Sequence, residues 1–147
     1  MEILIRDAPE AGAKVGANVV RKIIQTKDKP VLGLATGETP LRMYKELIRM
    51  NQSGELSFRN CTTFNLDEYG GLPPENKRSY HHYMMSNFFD HTDIYKKNVH
   101  LPDGYAEDLR ETCRKYENLI NDAGGIDLQV LGIGANGHIG FNEPTGS

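Results

Sequence analysis

The chain has 147 residues, 38% of them apolar and 25% charged, with a formal net charge of −3 from 17 basic and 20 acidic side chains. This is the composition of a folded domain long enough to bury a real core, and it excludes a disordered segment. It offers no basic stripe for nucleic acid, no apolar run of bilayer length, no secretory-type leader and only two cysteines, Cys61 and Cys113, in no C-x-x-C pair. A cytoplasmic protein with no membrane, nucleic-acid or metal partner is expected.

The pattern alternates strand and helix. Residues 2–5 read as a short strand, and Asp7 with Glu10 as a capping-box variant opening a helix. Val15, Val19, Val20, Ile23 and Ile24 fall on one face of that helix, and Gly12 with Gly16 would allow close backbone packing. Val31 to Ala35 is too short for a helix and reads as a buried parallel strand. Thr39, as cap, and Pro40, at the first helical position, open a helix striped by Leu41, Tyr44, Leu47 and Ile48. A strand over Thr62–Leu66 leads into a glycine- and proline-rich loop to Arg78. Ser79 then caps a helix carrying Tyr80, Tyr83, Met84 and Phe88 on one side. Val99–Leu101 reads as a short strand, Leu109 to Ile120 as a long helix stopped at Gly124-Gly125, and Leu128–Ile133 as the last strand. The expectation is a single α/β domain over 1–147, a Rossmann-like parallel sheet with helices on both faces. No helix pattern follows the last strand, so the sheet is expected to be truncated at the C-terminus.

In such a sheet ligands bind at the loops that follow strand C-terminal ends. Thr36, Gly37, Glu38 and Thr39 lie between a buried strand and a helix, whose free N–H groups and dipole favour an anion. A phosphate cradle and a plain strand–helix turn explain this loop equally, and the Glu38 carboxylate would repel a phosphate unless it points away. Asp67 and Glu68 are adjacent at a strand end and face different ways, so one can aim into the crevice as a proton-abstracting base while the other organises the loop. Taken alone, an isolated Asp-Glu pair is more often a polar loop start or a surface helix cap. The last loop matches G-x-G-x-x-G through Gly132, Gly134 and Gly137, which raises a dinucleotide site as a rival. Against it, the glycines follow the last strand rather than the first, and no helix pattern begins after them. His138 sits among these glycines beside Asn136 and Glu143, and a fold-back would bring the carboxylate to the imidazole for acid–base work. His81 and His82, at a helix start, read as exposed or packing residues, and no spacing suggests zinc.

Together, L-A-T-G-x-T-P, T-F-N-L-D-E-Y-x-G-L and L-G-I-G-x-N-G-H-I-G-F-N-E-P, in this order, resemble the glucosamine-6-phosphate deaminase family. Ser79-Tyr80, the Asn87–His91 segment and the Cys113–Glu117 helix resemble it too, so the likeness covers essentially the whole chain. The related phosphogluconolactonases share a G-x-D-G-H loop but lack F-N-E-P and D-E-Y. The resemblance implies conversion of glucosamine 6-phosphate and water to fructose 6-phosphate and ammonia, with no metal and no organic cofactor. It implies that His138 opens the sugar ring, Glu143 orients His138, and Asn136, where some members have Asp, assists by hydrogen bonding. Asp67 would move the C2 proton, Glu68 would support the site from behind, and Thr36, Gly37, Glu38 and Thr39 would form the phosphate loop. Glu38 departs from the family, which has a small residue there. The resemblance also implies that this chain is the N-terminal and larger part of the catalytic domain, with basic phosphate-holding residues and a lid following residue 147. A hexosamine phosphate is then the expected partner, and assembly into a homo-oligomer is left open. The competing readings are a sugar-phosphate sensor that has lost the chemistry, an inactive fragment, and a dinucleotide-binding module.

Overall fold

The computed structural model describes residues 1–144. A first helix, α1 (Pro9–Thr26), precedes strand β1 (Val31–Leu34), helix α2 (Glu38–Gln52) and strand β2 (Thr62–Asn65). Helix α3 (Tyr80–Asn87), two short 3-10 turns, strand β3 (Val99–His100), helix α4 (Leu109–Asp122) and strand β4 (Leu128–Gln129) follow. The strands form one four-stranded parallel sheet in the order β3-β2-β1-β4. Fully buried β1 lies at its centre, as a run of four apolar residues in a parallel sheet requires.

Alternation along the strands separates two layers. Leu32 and Leu34 face a core built with Ala17 and Val20 of α1, Met43, Tyr44 and Leu47 of α2, and Met84 of α3. Phe88 and Phe89 close this core, Phe88 stacking on Tyr44 with ring centroids 4.7 Å apart. Phe64 of β2 turns to the opposite face, where it meets Tyr116 of α4 edge-on at 5.7 Å and stacks on His100 at 4.9 Å. Helices therefore cover both faces, and the expected α/β class stands. Asp127 ties β4 to β1: its carboxylate accepts from the Val31 N–H at 2.9 Å and pairs with Lys27 at 2.8 Å. Among the described residues no helix is long and apolar enough to cross a membrane.

Several elements differ from the sequence reading. Residues 2–5 form no strand; Ile3, Leu4 and Ile5 are exposed, because no strand among the described residues lies alongside to complete a ladder. Asp7 is not the cap of α1: Pro9 takes the first helical position that its fixed φ favours, and Ala8 becomes the cap residue. Of the two α1 glycines only Gly16 is closely packed, where an added Cβ would lie 3.1 Å from Met43 Sδ; Gly12 is open. Helix α2 starts before Thr39, at Glu38, because Gly37 adopts φ 116° and turns the backbone early. Pro40 is still accommodated, since N–H groups of the first turn lack intrahelical partners. Strand β4 stops at Gln129 rather than Ile133. The Val130 N–H makes a last bond to Gly33 O at 2.8 Å, and β1 then ends, leaving Leu131 and Ile133 exposed. Ser79 does cap α3, accepting from the His82 N–H at 3.0 Å.

Candidate active site

The loops after β1, β2 and β4 meet at the C-terminal edge of the sheet and enclose a cleft of about 250 Å³. Thr36, Gly37, Glu38 and Thr39 line one side, Asp67 the second and His138 the third. The first loop is held by tyrosines beneath it: Tyr44 donates its hydroxyl to Ala35 O at 2.5 Å and Tyr83 donates to Gly37 O at 2.5 Å. Burial pushes both phenols above the ordinary tyrosine range, so they remain donors. The start of α2 therefore lines the cleft on a fixed backbone, and N–H groups of a first helical turn lack intrahelical partners.

Asp67 and Glu68 occupy different environments, as alternation at a strand end requires. The Asp67 carboxyl is half-buried, and burial first, then the neighbouring Glu68 charge, raise its pKa above the ordinary aspartate value. Glu68 does not line the cleft. Its Oε1 accepts from the Tyr69 and Tyr80 N–H groups at 2.8 Å each, and its Oε2 accepts from the His81 N–H at 2.8 Å. Glu68 thus satisfies the first N–H groups of α3, and Ser79 satisfies the next.

The β4 loop folds back on itself. Gly134 N–H donates to His138 O at 2.9 Å, and the imidazole lies flat against Gly134, where an added Cβ would sit 2.2 Å from His138 Cε1. Glu143 does not reach the imidazole as a direct hydrogen-bond partner; its Oε1 is 4.0 Å from His138 Nδ1. Asn136 stands between them. Its Nδ2 donates to Glu143 Oε2 at 2.7 Å, while its Oδ1 lies 2.7 Å from His138 Nδ1 and accepts from the His138 backbone N–H at 3.3 Å. A flipped amide would oppose two donors at one end and two acceptors at the other, so its orientation is fixed. Nδ1 of His138 therefore carries the proton, and Nε2 keeps a free lone pair.

Sequence reasoning missed Tyr80, which lines the cleft at the start of α3. Burial and the hydrogen bond that its hydroxyl donates to Tyr69 push its pKa up to about 12. The signal was its place directly after a helix cap, facing the D-E-Y loop. It also missed Gly140, which lines the cleft, and Phe141, which stacks on Tyr80. The dinucleotide reading of Gly132, Gly134 and Gly137 lacks its helix: residues 138–144 form turns and one bridge.

A family model described as glucosamine-6-phosphate isomerases/6-phosphogluconolactonase matches residues 6–140. The chain belongs to this family. It is 58% identical over 147 residues to a glucosamine-6-phosphate deaminase of Thermoanaerobacter sp. (strain X514), covering all of this chain and 58% of that protein. Among solved structures it superposes with a TM-score of 0.96 on a monomeric glucosamine-6-phosphate deaminase, at 46% identity, covering all of this chain and 61% of that one. A 6-phosphogluconolactonase from Thermotoga maritima matches with a TM-score of 0.78 and 25% identity, over 95% of this chain and 62% of that one. The chain thus spans roughly three-fifths of the length of these relatives.

Proposed function

We propose that the protein acts as an amino-sugar-phosphate deaminase, converting glucosamine 6-phosphate and water to fructose 6-phosphate and ammonia in the cytoplasm without an organic cofactor. The observation that carries this reading is that a half-buried carboxylate, Asp67, and an imidazole with a free Nε2, His138, line one cleft beside a helix N-terminus. The similarity to deaminases rather than lactonases supports the choice within the family. In this reading the chain is one α/β unit that supplies the strand-end loops of a larger catalytic domain.

The N–H groups at the start of α2, with the Thr36 and Thr39 hydroxyls, hold the phosphate. His138 Nε2 accepts the anomeric hydroxyl proton as the C1–O5 bond breaks and passes that proton on to the ring oxygen. Asn136, fixed by Glu143, occupies Nδ1, so Nε2 is the nitrogen that exchanges protons with the sugar. Asp67 then removes the C2 proton of the open aldehyde while O1 takes a proton from the substrate's own ammonium group, giving an enolamine, and Asp67 returns the C2 proton to C1. The resulting C2 imine adds water and expels ammonia. One carboxylate suffices for both transfers because the carbons are adjacent. Its raised pKa makes it a better base for a carbon acid.

The test is ammonia release from glucosamine 6-phosphate by the purified protein and its Asp67→Asn variant. Release that Asp67→Asn abolishes is expected. Absence of release at saturating substrate refutes the reading, and ligand binding without turnover favours the sensor.

A further inference from the structure

The two candidate catalytic loops touch at a point that the chemistry above does not use. Ile139 and Asn142 exchange backbone hydrogen bonds at 3.2 and 3.0 Å, closing a tight turn with Gly140 and Phe141 at its tip. Gly140, at φ 59°, lies against the Asp67 loop so closely that an added Cβ would come within 3.0 Å of Asp67 Oδ2 and 2.9 Å of Leu66 Cδ2. Phe141 is 51% exposed, yet its ring is 5.1 Å from that of Tyr69 and stacks at 13° on that of Tyr80, 5.7 Å away. Tyr69 and Tyr80 are themselves 4.7 Å apart. These rings come from the loop after β2, the first position of α3 and the loop after β4.

We propose that Phe141 is a positioning residue: with Tyr69 and Tyr80 it forms an aromatic clasp that holds the His138 loop on the Asp67 loop and lays Gly140 over the Asp67 carboxylate. This rests on the deaminase reading for its kinetic consequence but not for its geometry. A half-exposed phenylalanine adds little to a core, but each stacked pair adds binding between segments that no shared hydrogen-bond ladder joins. The backbone of Gly140 excludes water from one side of Asp67, in keeping with the burial that raises the carboxyl. The charged and titratable groups around Asp67 are Glu68 on its own loop, the Tyr80 phenol from α3, His138 from the third loop and Glu38 across the cleft. Opening the clasp releases the His138 loop and admits water to Asp67, while Glu68, Tyr80 and Glu38 stay on their own elements.

The experiment compares the wild-type protein with Phe141→Ala, Phe141→Leu and Phe141→Tyr by ammonia release, thermal unfolding and carboxyl carbon NMR titration of Asp67. Phe141→Ala is expected to lower kcat about 10- to 100-fold, the scale of a reacting group misplaced by an ångström. KM should change little, and the acid limb of kcat and the Asp67 titration should both move to lower pH. Phe141→Tyr restores all three, and Phe141→Leu, which keeps apolar bulk without stacking, falls between. An unchanged Asp67 titration in Phe141→Ala and Phe141→Leu overturns the proposal, as does a Phe141→Tyr that fails to restore it. The titration reads the clasp even in a protein that releases no ammonia, so failure of the deaminase reading is told apart from failure of the clasp.

Discussion

Glu68 offers the sharpest test of how the cleft is built. Its carboxylate accepts from the backbone N–H groups of Tyr69, Tyr80 and His81, all at 2.8 Å, and two of these begin α3. Glu68→Ala leaves these donors without a charged acceptor. A hydrogen bond to a charged group contributes about 1.5–3 kcal/mol and a lost helix cap costs about 1 kcal/mol. Water can reach the half-buried helix start and replaces part of the loss, so a net cost of about 2–3 kcal/mol is expected rather than the full sum. For a chain of this size that lowers Tm by roughly 4–12 °C. Glu68→Gln keeps one oxygen but presents an amide N–H₂ to a backbone donor, and should lose about half as much. Removing the Glu68 charge also makes Asp67 easier to ionise, so the acid limb of activity should move to lower pH in Glu68→Gln. Thermal unfolding by circular dichroism and a pH–rate profile read the two effects separately. A Glu68→Ala variant that melts within about 2 °C of the wild type would refute the capping role, since that shift corresponds to under 1 kcal/mol.

Asp67→Asn should reduce ammonia release by about 10²–10⁴-fold, the usual contribution of a positioned base. The same variant should be more stable than the wild type at neutral pH: folding raises the Asp67 pKa, so ionisation opposes folding above the unfolded-state value, and the gain should vanish in acid below both values. Gly134→Ala should cost activity while sparing Tm more than it spares kcat, because its Cβ would displace the His138 ring rather than core side chains; ammonia release and unfolding curves check this. Asp93 is partly buried, which alone would raise its carboxyl, but hydrogen bonds from Ser57, the Phe58 N–H and Asn51 outweigh burial and lower it. Its contribution is therefore present above the ordinary aspartate value near pH 4 and lost as pH falls through the lowered one. Asp93→Asn should melt earlier at pH 7 and show a flatter decline of Tm below about pH 4.

Much of the framework was legible because its causes are local. The Val31–Leu34 run is apolar on both faces, which only a central parallel strand accommodates, and Ser79 caps α3 with its own side chain. The strand-end loops followed from topology, and they brought Thr36–Thr39, Asp67 and His138 to one cleft. What sequence could not supply were lengths and partners fixed at a distance. Residues 2–5 have strand-like composition but no neighbour to pair with, and β4 ends where β1 ends rather than where its apolar residues do. The Glu68 carboxylate bonds to N–H groups across an intervening loop, which composition cannot foretell. The proximity of Asn136 to both His138 and Glu143 depends on a fold-back whose exact turn sets which side chain stands in the middle.

The adjacency of Asp67 and Glu68 shows why two like residues serve unlike ends. A carboxylate bound by several backbone N–H groups is fixed in place and turned to the backbone rather than to a ligand. Glu68 is in that position, and its charge raises the pKa of its neighbour. Asp67 is turned toward the cleft and lies under the Gly140 backbone, where burial favours its protonated form. Environment therefore makes one carboxylate a fixed anchor and gives the other, the base of the proposed reaction, a raised affinity for a proton. The same division holds on the far side of the cleft. Glu143 spends its charge on the Asn136 amide, the amide fixes the Nδ1 proton, and only Nε2 of His138 remains to exchange protons. The cleft thus presents a carboxylate and an imidazole on two of its sides, the arrangement that the proposed ring opening and carbon-to-carbon proton transfer call for.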